Sequence, residues 1–544
     1  YCAGYQHRDS SIVGFSHTHF NGTGHSDLGD ILIMPATGEL KLNPGTATDP
    51  DGGYRSRFSH DTEVSRPGYY EVMLADYGVK AQLTATKRVG VHKYTFPKEA
   101  KNQRIILDMI HGIYNYDGKV LWTNIRVEND TLVTGYRITN GWARTNYTYF
   151  AMSFSKPVVH YGCEEKAKVN YRGGYGKFNM KENFPDIGGR KIVAYFDFDP
   201  AVSEELEVKV ALSGVSTDGA LKNLRAEASG YSFDRLAARA GETWNKELSV
   251  IEANGTDDQL AMLYTSLYHT MINPCVYTDV DGQYRGLDHN IHKADDFTNY
   301  TVFSVWDTYR ALHPLFNIIN RRVNTDIARS MLKHCEQSVH KALPIWSHMA
   351  NENWCMIGYH SVSVLADAVA KGLPLDKEEV LKAMVSSSTI PYLDGTGEYM
   401  EKGYVALDHN GSAADRDLHR HRALNAQAQR GRAGHDLGAL LAALGDDADA
   451  VIDALGIGAD QQRHVARHQE AAGCGQTGDV ELAFQQLVAD ILGILFIDDC
   501  SDKLHGYPAF LLIHRIFQRL RFSQSRRRFQ SFTASTHQSK TSRP

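Results

Sequence analysis

The sequence predicts a multidomain β + α protein, an N-terminal β-sandwich followed by a helical domain. Three observations predict it. Between Gly53 and about Ser216, short runs rich in Val, Ile, Thr, Tyr and Phe alternate with period two and are interrupted by glycine-rich turns. From about Phe233 the apolar period becomes that of a helix. The 544 residues, at roughly 150 per domain, give room for two to four domains, or two large ones, that bury their cores without a disulfide or metal staple.

Taken in chain order, strands are expected within Ala81–Phe96, Arg104–Ile110, Lys191–Phe198 and Leu206–Val215, with Arg172-Gly173-Gly174-Tyr175-Gly176 as a break. Many short strands and few helical stretches favour a sandwich of ~200 residues. This β domain takes residues 1–232, with the junction near 217–245. Thr256 or Asp257 then caps a helix that places Leu260, Leu263, Leu267 and Met271 on one face, stopped by Pro274. Helices are also expected over Asn320–Glu336 and Ser361–Lys371, within a helical part spanning 233–410.

Composition removes several function classes. The 42% hydrophobic and 22% charged fractions are those of an ordinary globular protein, and a net charge of −6 offers no basic footprint for a nucleic-acid partner. The apolar run Ile491–Ile497 is far too short to span a membrane. Seven scattered cysteines without a C-x-x-C pair exclude a disulfide framework, a zinc ribbon and a thioredoxin-like motif. The start at Tyr1 reads as a mature form or a fragment, so the compartment is not legible there.

Three clusters carry candidate chemistry. In Gly14-Phe15-Ser16-His17-Thr18-His19-Phe20-Asn21-Gly22-Thr23-Gly24, with Asp27-Leu28-Gly29-Asp30 following, a strand would point His17 and His19 to one side, a spacing that can ligate a metal. A hairpin with two rim histidines fits the same residues. In Ser304 to Leu315, the Trp306 indole could stack on the C–H face of a pyranose while Asp307 accepts from sugar hydroxyls. Asp307 and Arg310 could equally form a surface pair on a helix. The third runs from Leu343-Pro344-Ile345-Trp346 through Asn351-Glu352-Asn353-Trp354 to His360 and Asp367. It suits a cavity lip, or a loop whose tryptophans plug the domain interface. Asp279-Val280-Asp281-Gly282 hints at a calcium loop, but without the full EF-hand pattern it reads as a turn.

Together G-F-S-H-T-H-F-N-G-T-G…D-L-G-D, Y-R-G-L-D, V-W-D-T-Y-R-A-L-H-P-L and M-I-G-Y-H-S-V-S-V-L-A-D-A resemble glycoside hydrolase family 92, in order from Tyr1 to about His409. The resemblance implies a β-sandwich followed by an (α/α)6 barrel, incomplete here, with the active site between them. It also implies a calcium-dependent, exo-acting α-mannosidase that inverts configuration, most often at α-1,2 linkages of mannose-containing glycans, and a bacterial secreted or periplasmic setting. Trp306 and Asp307 match a motif expected to line the subsite of the cleaved mannose. His17, His19, Glu352 and His360 match family motifs and are expected to contact substrate.

The chain then departs from the family. The resemblance implies a general acid in a W-T-E-G-N-like motif and a base in a D-D-x-G-Q-like motif, both after residue 410. No tryptophan follows Trp354, and Asp498-Asp499-Cys500 continues with Ser501-Asp502 instead of Gly-Gln. Up to residue 410 there are 23 Lys and 19 Arg, but from 411 there are 2 Lys and 14 Arg. Residues 411–544 therefore read as an out-of-frame or fused segment, helical over Asp436–Leu455 and disordered over Ser523–Pro544. The expectation is an inactive version of an active enzyme type. The alternatives are a non-catalytic mannoside-binding protein, another (α/α)6-barrel α-glycosidase or phosphorylase, and a metal hydrolase built on His17 and His19.

Overall fold

A computed structural model describes residues 4–20, 27–168, 173–356, 358–393 and 396–402. The expectations for Asp436–Leu455 and Ser523–Pro544 lie outside these residues. The sandwich is built from β1 (Leu32–Ala36), β2 (Val64–Arg66), β3 (Tyr69–Leu74), β4 (Val79–Ala85), β5 (Val89–Thr95), β6 (Gln103–Asp108), β7 (Val120–Asn129), β8 (Leu132–Thr139), β9 (Asn146–Phe154), β10 (Val158–Glu165), β11 (Asp186–Gly189), β12 (Ile192–Phe198) and β13 (Glu205–Ser213). Nine form one sheet in the order β11-β7-β8-β9-β13-β5-β4-β3-β2, and four form a second in the order β10-β12-β6-β1.

The two sheets bury one face of each against the other, through residues such as Val72, Tyr94, Ile106, Phe150, Phe196 and Val210. Each aliphatic side chain so enclosed contributes about 1.5–3 kcal/mol. Strand β6 is buried at all six positions, so its polar members need partners. They have them: Gln103 donates to the Ser203 carbonyl, Arg104 pairs with Asp197 at 2.7 Å, and Asp108 accepts from the Tyr54 hydroxyl. The segments expected as strands between Ala81 and Val215 are β4 to β6, β12 and β13. The glycine-rich break carries a short 3-10 turn over Gly173–Lys177.

The outer face of the large sheet is partly covered by α1 (Thr217–Glu227) and α2 (Phe233–Leu248), capped by Ser216 and Ser232. Ala220, Leu224, Phe233 and Leu236 seal against Val89, Val91, Ala151 and Ala211. Helix α3 (Asp257–Thr270) begins with a capping box between Thr256 and Gln259, as the sequence anticipates. Of its apolar face only Leu267 is fully buried, while Leu260 and Leu263 are half-buried.

Next come α4 (Val305–Thr308), α5 (Leu312–Ile319), α6 (Arg321–Gln337), α7 (Ser361–Ala370), α8 (Lys377–Ser388) and α9 (Thr396–Lys402). Helices α6 and α7 fall within a residue of their expected bounds. Ile327, Met331, Val362, Leu365, Val380 and Met384 form the core of this domain. Between α6 and α7 a hairpin pairs β14 (Ser347–His348) with β15 (Asn351–Glu352). Asn351 reaches the sheet domain, donating to the Thr145 carbonyl at 3.1 Å and accepting from its amide at 3.4 Å.

Candidate active site at the domain junction

The sheet domain offers the segment 15–20 to the junction. Phe15 pairs with Ile33, and the Thr18 carbonyl accepts from Gly29, so the segment runs antiparallel to the start of β1. Gly14 (φ +152°) permits this approach, since a Cβ there would lie 2.7 Å from Leu32 Cδ2.

His17 and His92 face each other with their Nε2 atoms 2.9 Å apart, and the tautomers follow from the ends of the chain. His17 Nδ1 lies 2.6 Å from the Ile31 carbonyl, which only accepts, so Nδ1 carries the proton and Nε2 accepts. His92 therefore donates from Nε2, and its Nδ1 accepts from the Tyr94 hydroxyl at 2.9 Å. Both rings are neutral: burial lowers His17 to about 4 and depresses His92 well below its usual value. Gly90 leaves room for this pair, because its Cβ would meet the His17 ring at 2.6 Å.

His17 and His19 both border a cavity of about 450 Å³, with Tyr147 and Ser213 of the sheet domain and Tyr277, Asp279 and Met349 of the following part. His19 is open to solvent, with Nε2 at 2.9 Å from the Ser16 hydroxyl. Among the described residues no three His, Cys, Asp or Glu side chains converge to hold a metal. Asp279 accepts from Ser213 and Asn223, and Asp281 from Gln283 and Lys222. The segment is a turn, the reading the sequence favoured, with Asp279 tying it to β13 and α1 and Asp281 bonding within it and to α1.

The helical domain brings the second and third sequence clusters together. His360 is stacked on Tyr309, with ring centroids 4.1 Å apart and planes 12° apart, and meets the Trp306 edge at 5.4 Å. Asp307 is exposed and accepts from the Ser304 hydroxyl, while Arg310 donates to the Tyr309 hydroxyl at 2.6 Å rather than to Asp307. The Cys355 thiol is pushed up by burial first, with the Met356 amide opposing and the charges of Glu352 and Asp307 adding to the rise.

Glu352 accepts backbone N–H bonds from Trp346 (2.8 Å), Ile345 (3.0 Å) and Trp354 (3.0 Å). Burial nonetheless raises its pKa to about 7, outweighing those bonds. Its oxygens tie the 345–354 loop together. Trp346 is buried in the junction, against Trp142 (4.9 Å) and Phe20 (5.7 Å), so this tryptophan does plug the interface.

The neighbours of that plug carry no role legible in the sequence. His348 stacks on Phe20 at 4.7 Å and holds Nε2 3.5 Å from Asp27. Burial alone would raise Asp27, but His348 and the Ala143 amide outweigh it and lower the carboxyl. Gly141 must be glycine here, because a Cβ would lie 1.9 Å from Asp27 Oδ1. The D-L-G-D motif held the only trace of this contact; His348 had none. Strain gathers at the same junction. Val302, Met349, Ala350, Trp354 and Met356 all have positive φ, a conformation that costs non-glycine residues about 1–2 kcal/mol each.

A β-sandwich joined to a helical domain, with aromatic and hydrogen-bonding side chains where they meet, is an architecture that two-domain glycoside hydrolases use. Models of glycosyl hydrolase family 92 match the chain twice, the N-terminal domain over residues 1–213 and the catalytic domain over 219–426. The chain belongs to that family. A family GH92 α-mannosidase of Bacteroides thetaiotaomicron, solved in complex with mannoimidazole, is 39% identical with a TM-score of 0.75, covering 87% of this chain and 58% of that one. An inverting mannosidase of the same organism is 27% identical with a TM-score of 0.66, covering 85% and 59%. An uncharacterized secreted glycosidase of Arthroderma benhamiae is 24% identical over 304 residues, 51% of this chain and 37% of that protein. The chain thus spans less than two thirds of the length of these relatives.

Proposed function

We propose that this chain recognises a terminal α-linked mannose of a glycan, α-1,2-linked by preference, in the cleft at the domain junction, and that it does not hydrolyse it. The observation that carries the reading is the contact of His360 with both Trp306 and Tyr309, next to the exposed Asp307, in a chain whose similar structures include an α-mannosidase holding mannoimidazole. In this proposal Trp306 stacks on the sugar's apolar face, Asp307 accepts from its hydroxyls, and His360 is held in place by Tyr309. His17 and His19 bound the cavity that receives the rest of the glycan.

Inverting hydrolysis needs a protonated acid on the leaving oxygen and a base about 6.5–9.5 Å away that activates water. Glu352 has an acid's pKa of about 7, but its oxygens are already engaged by three backbone amides, so it positions the loop and does not donate to a leaving group. The tryptophan-bearing acid motif that family resemblance implies has no counterpart after Trp354. Calcium belongs to the proposal as a family expectation alone. Among the described residues no three His, Cys, Asp or Glu side chains converge on a point that could hold it. We also place the protein outside the cytoplasm, a reading supported by the secreted relative.

The test is isothermal titration of the purified chain with α-1,2-mannobiose and with the matching glucobiose, in calcium and in EDTA. Saturable binding of the mannoside alone, lost in Trp306→Ala, is the expected result. Equal affinity for both sugars, or none for either, would overturn the reading.

A further inference from the structure

Among the described residues, helices α1 and α2 leave part of the large sheet's outer face bare, and that part is aromatic. In the register of β7, β8 and β9, Asn124 lies opposite Tyr136 and Tyr136 opposite Tyr149. Trp122, Asn124, Tyr136, Tyr147 and Tyr149 therefore share one face, since side chains alternate along a strand. Trp122 is 43% exposed, and the three tyrosines are half-buried. Ring centroids are 5.7 Å apart for Tyr136 and Tyr149, and 6.4 Å for Tyr149 and Tyr147, whose planes differ by 7°. Arg285 caps the row, its guanidinium 4.5 Å over Tyr147.

A bare outer strand face is ordinarily polar. Here the row ends at the cavity that His17 and His19 border, because Tyr147 is both its last ring and part of the cavity wall. The Trp122 indole lies over Gly188, where a Cβ would stand in ordinary contact with it at 3.5 Å. Asn124 donates to Asp186 at 3.0 Å, so an amide and a carboxylate stand beside the rings. Flat rings flanked by planar hydrogen-bonding groups match the two faces of a pyranose, apolar C–H on one side and hydroxyls around the edge. The patch has no cluster of cations for a polyanion.

We propose that Trp122, Tyr136, Tyr149 and Tyr147 form a second carbohydrate-binding surface, which holds inner sugar units of a branched α-mannan whose terminal unit lies at the junction. The inference rests on the mannoside reading for its ligand class but not for its location.

The experiment is native affinity electrophoresis in gels containing soluble α-mannan, with dextran as the control polymer. Retardation by mannan should weaken at least ~5-fold in Trp122→Ala/Tyr136→Ala and persist in Trp122→Phe, which keeps a stacking ring. Titration with mannobiose should be unchanged in both variants, which separates a failure of this surface from a failure of the junction site. As a check independent of how the double variant folds, protection of Trp122 from N-bromosuccinimide by mannan, read by peptide mass, is measured in the wild-type chain. Undiminished retardation of a folded double variant, absent protection of Trp122, or equal retardation by dextran would each overturn the proposal.

Discussion

Glu352 is the residue whose chemistry is most exposed to test. Its carboxyl is raised from 4.5 to about 7, so the folded state holds a proton that the unfolded state has lost across that window. The stabilising contribution is therefore full below about 4.5 and is lost as pH rises through 7, by at most about 1.4 kcal/mol per pH unit. A fluorescence titration should show Trp346 and Trp354 responding with a midpoint near 7, and Glu352→Gln should abolish the step. The same variant should destabilise the chain by ~2–3 kcal/mol, because an amide nitrogen would face backbone donors. His17 acts in the opposite sense. With a folded pKa of about 4 against 6.5, its stabilising contribution is present above 6.5 and lost as pH falls through 4. Urea unfolding at pH 7 and pH 4.5 should show a smaller acid loss in His17→Asn than in the parent chain. Trp306, Asp307 and His360 were legible as candidates because their residue types suit a sugar. Their partners were less so: Tyr309 reaches His360 across 51 positions of sequence, and no local pattern encodes that stack.

At the level of elements, the hairpin between β14 and β15 turns on Met349 and Ala350, at φ 46° and 61°. Two consecutive positive values make the turn that suits the twist of a hairpin, but with residues that ordinarily avoid it. Ala350→Gly should raise stability by about 1 kcal/mol in chemical denaturation, the relief of one left-handed alanine. A loss would mean that the methyl group packs better than the backbone strains. Gly141→Ala should do the reverse, costing ~2–4 kcal/mol by driving a methyl into Asp27. Strands β4, β5 and β13 were legible from alternation, β6 and β12 from short runs rich in apolar and aromatic residues, and helices α3, α6 and α7 from helical spacing or small apolar residues. The hairpin was not. Its strands are two residues long, too short for any period, and its turn lacks the Gly or Asn that would have announced it.

The whole molecule depends on how its two domains are joined. Asn351 and Thr145 exchange two hydrogen bonds across the junction, beside the Trp142–Trp346 contact. Asn351→Ala should cost ~1–2 kcal/mol and broaden or split the calorimetric transition, since a sandwich with its own core can then unfold apart from the helices. The two-domain order was legible from the change of period near Phe233. The placement of α1 and α2 on the sheet was not, because their apolar faces do not say which surface covers them. The central claim, a mannoside site without turnover, is tested most directly by incubating the purified 544-residue chain with α-1,2-mannobiose and calcium and measuring free mannose beside equilibrium binding. The account predicts saturable binding with no mannose released. Calcium-dependent release of mannose would contradict it.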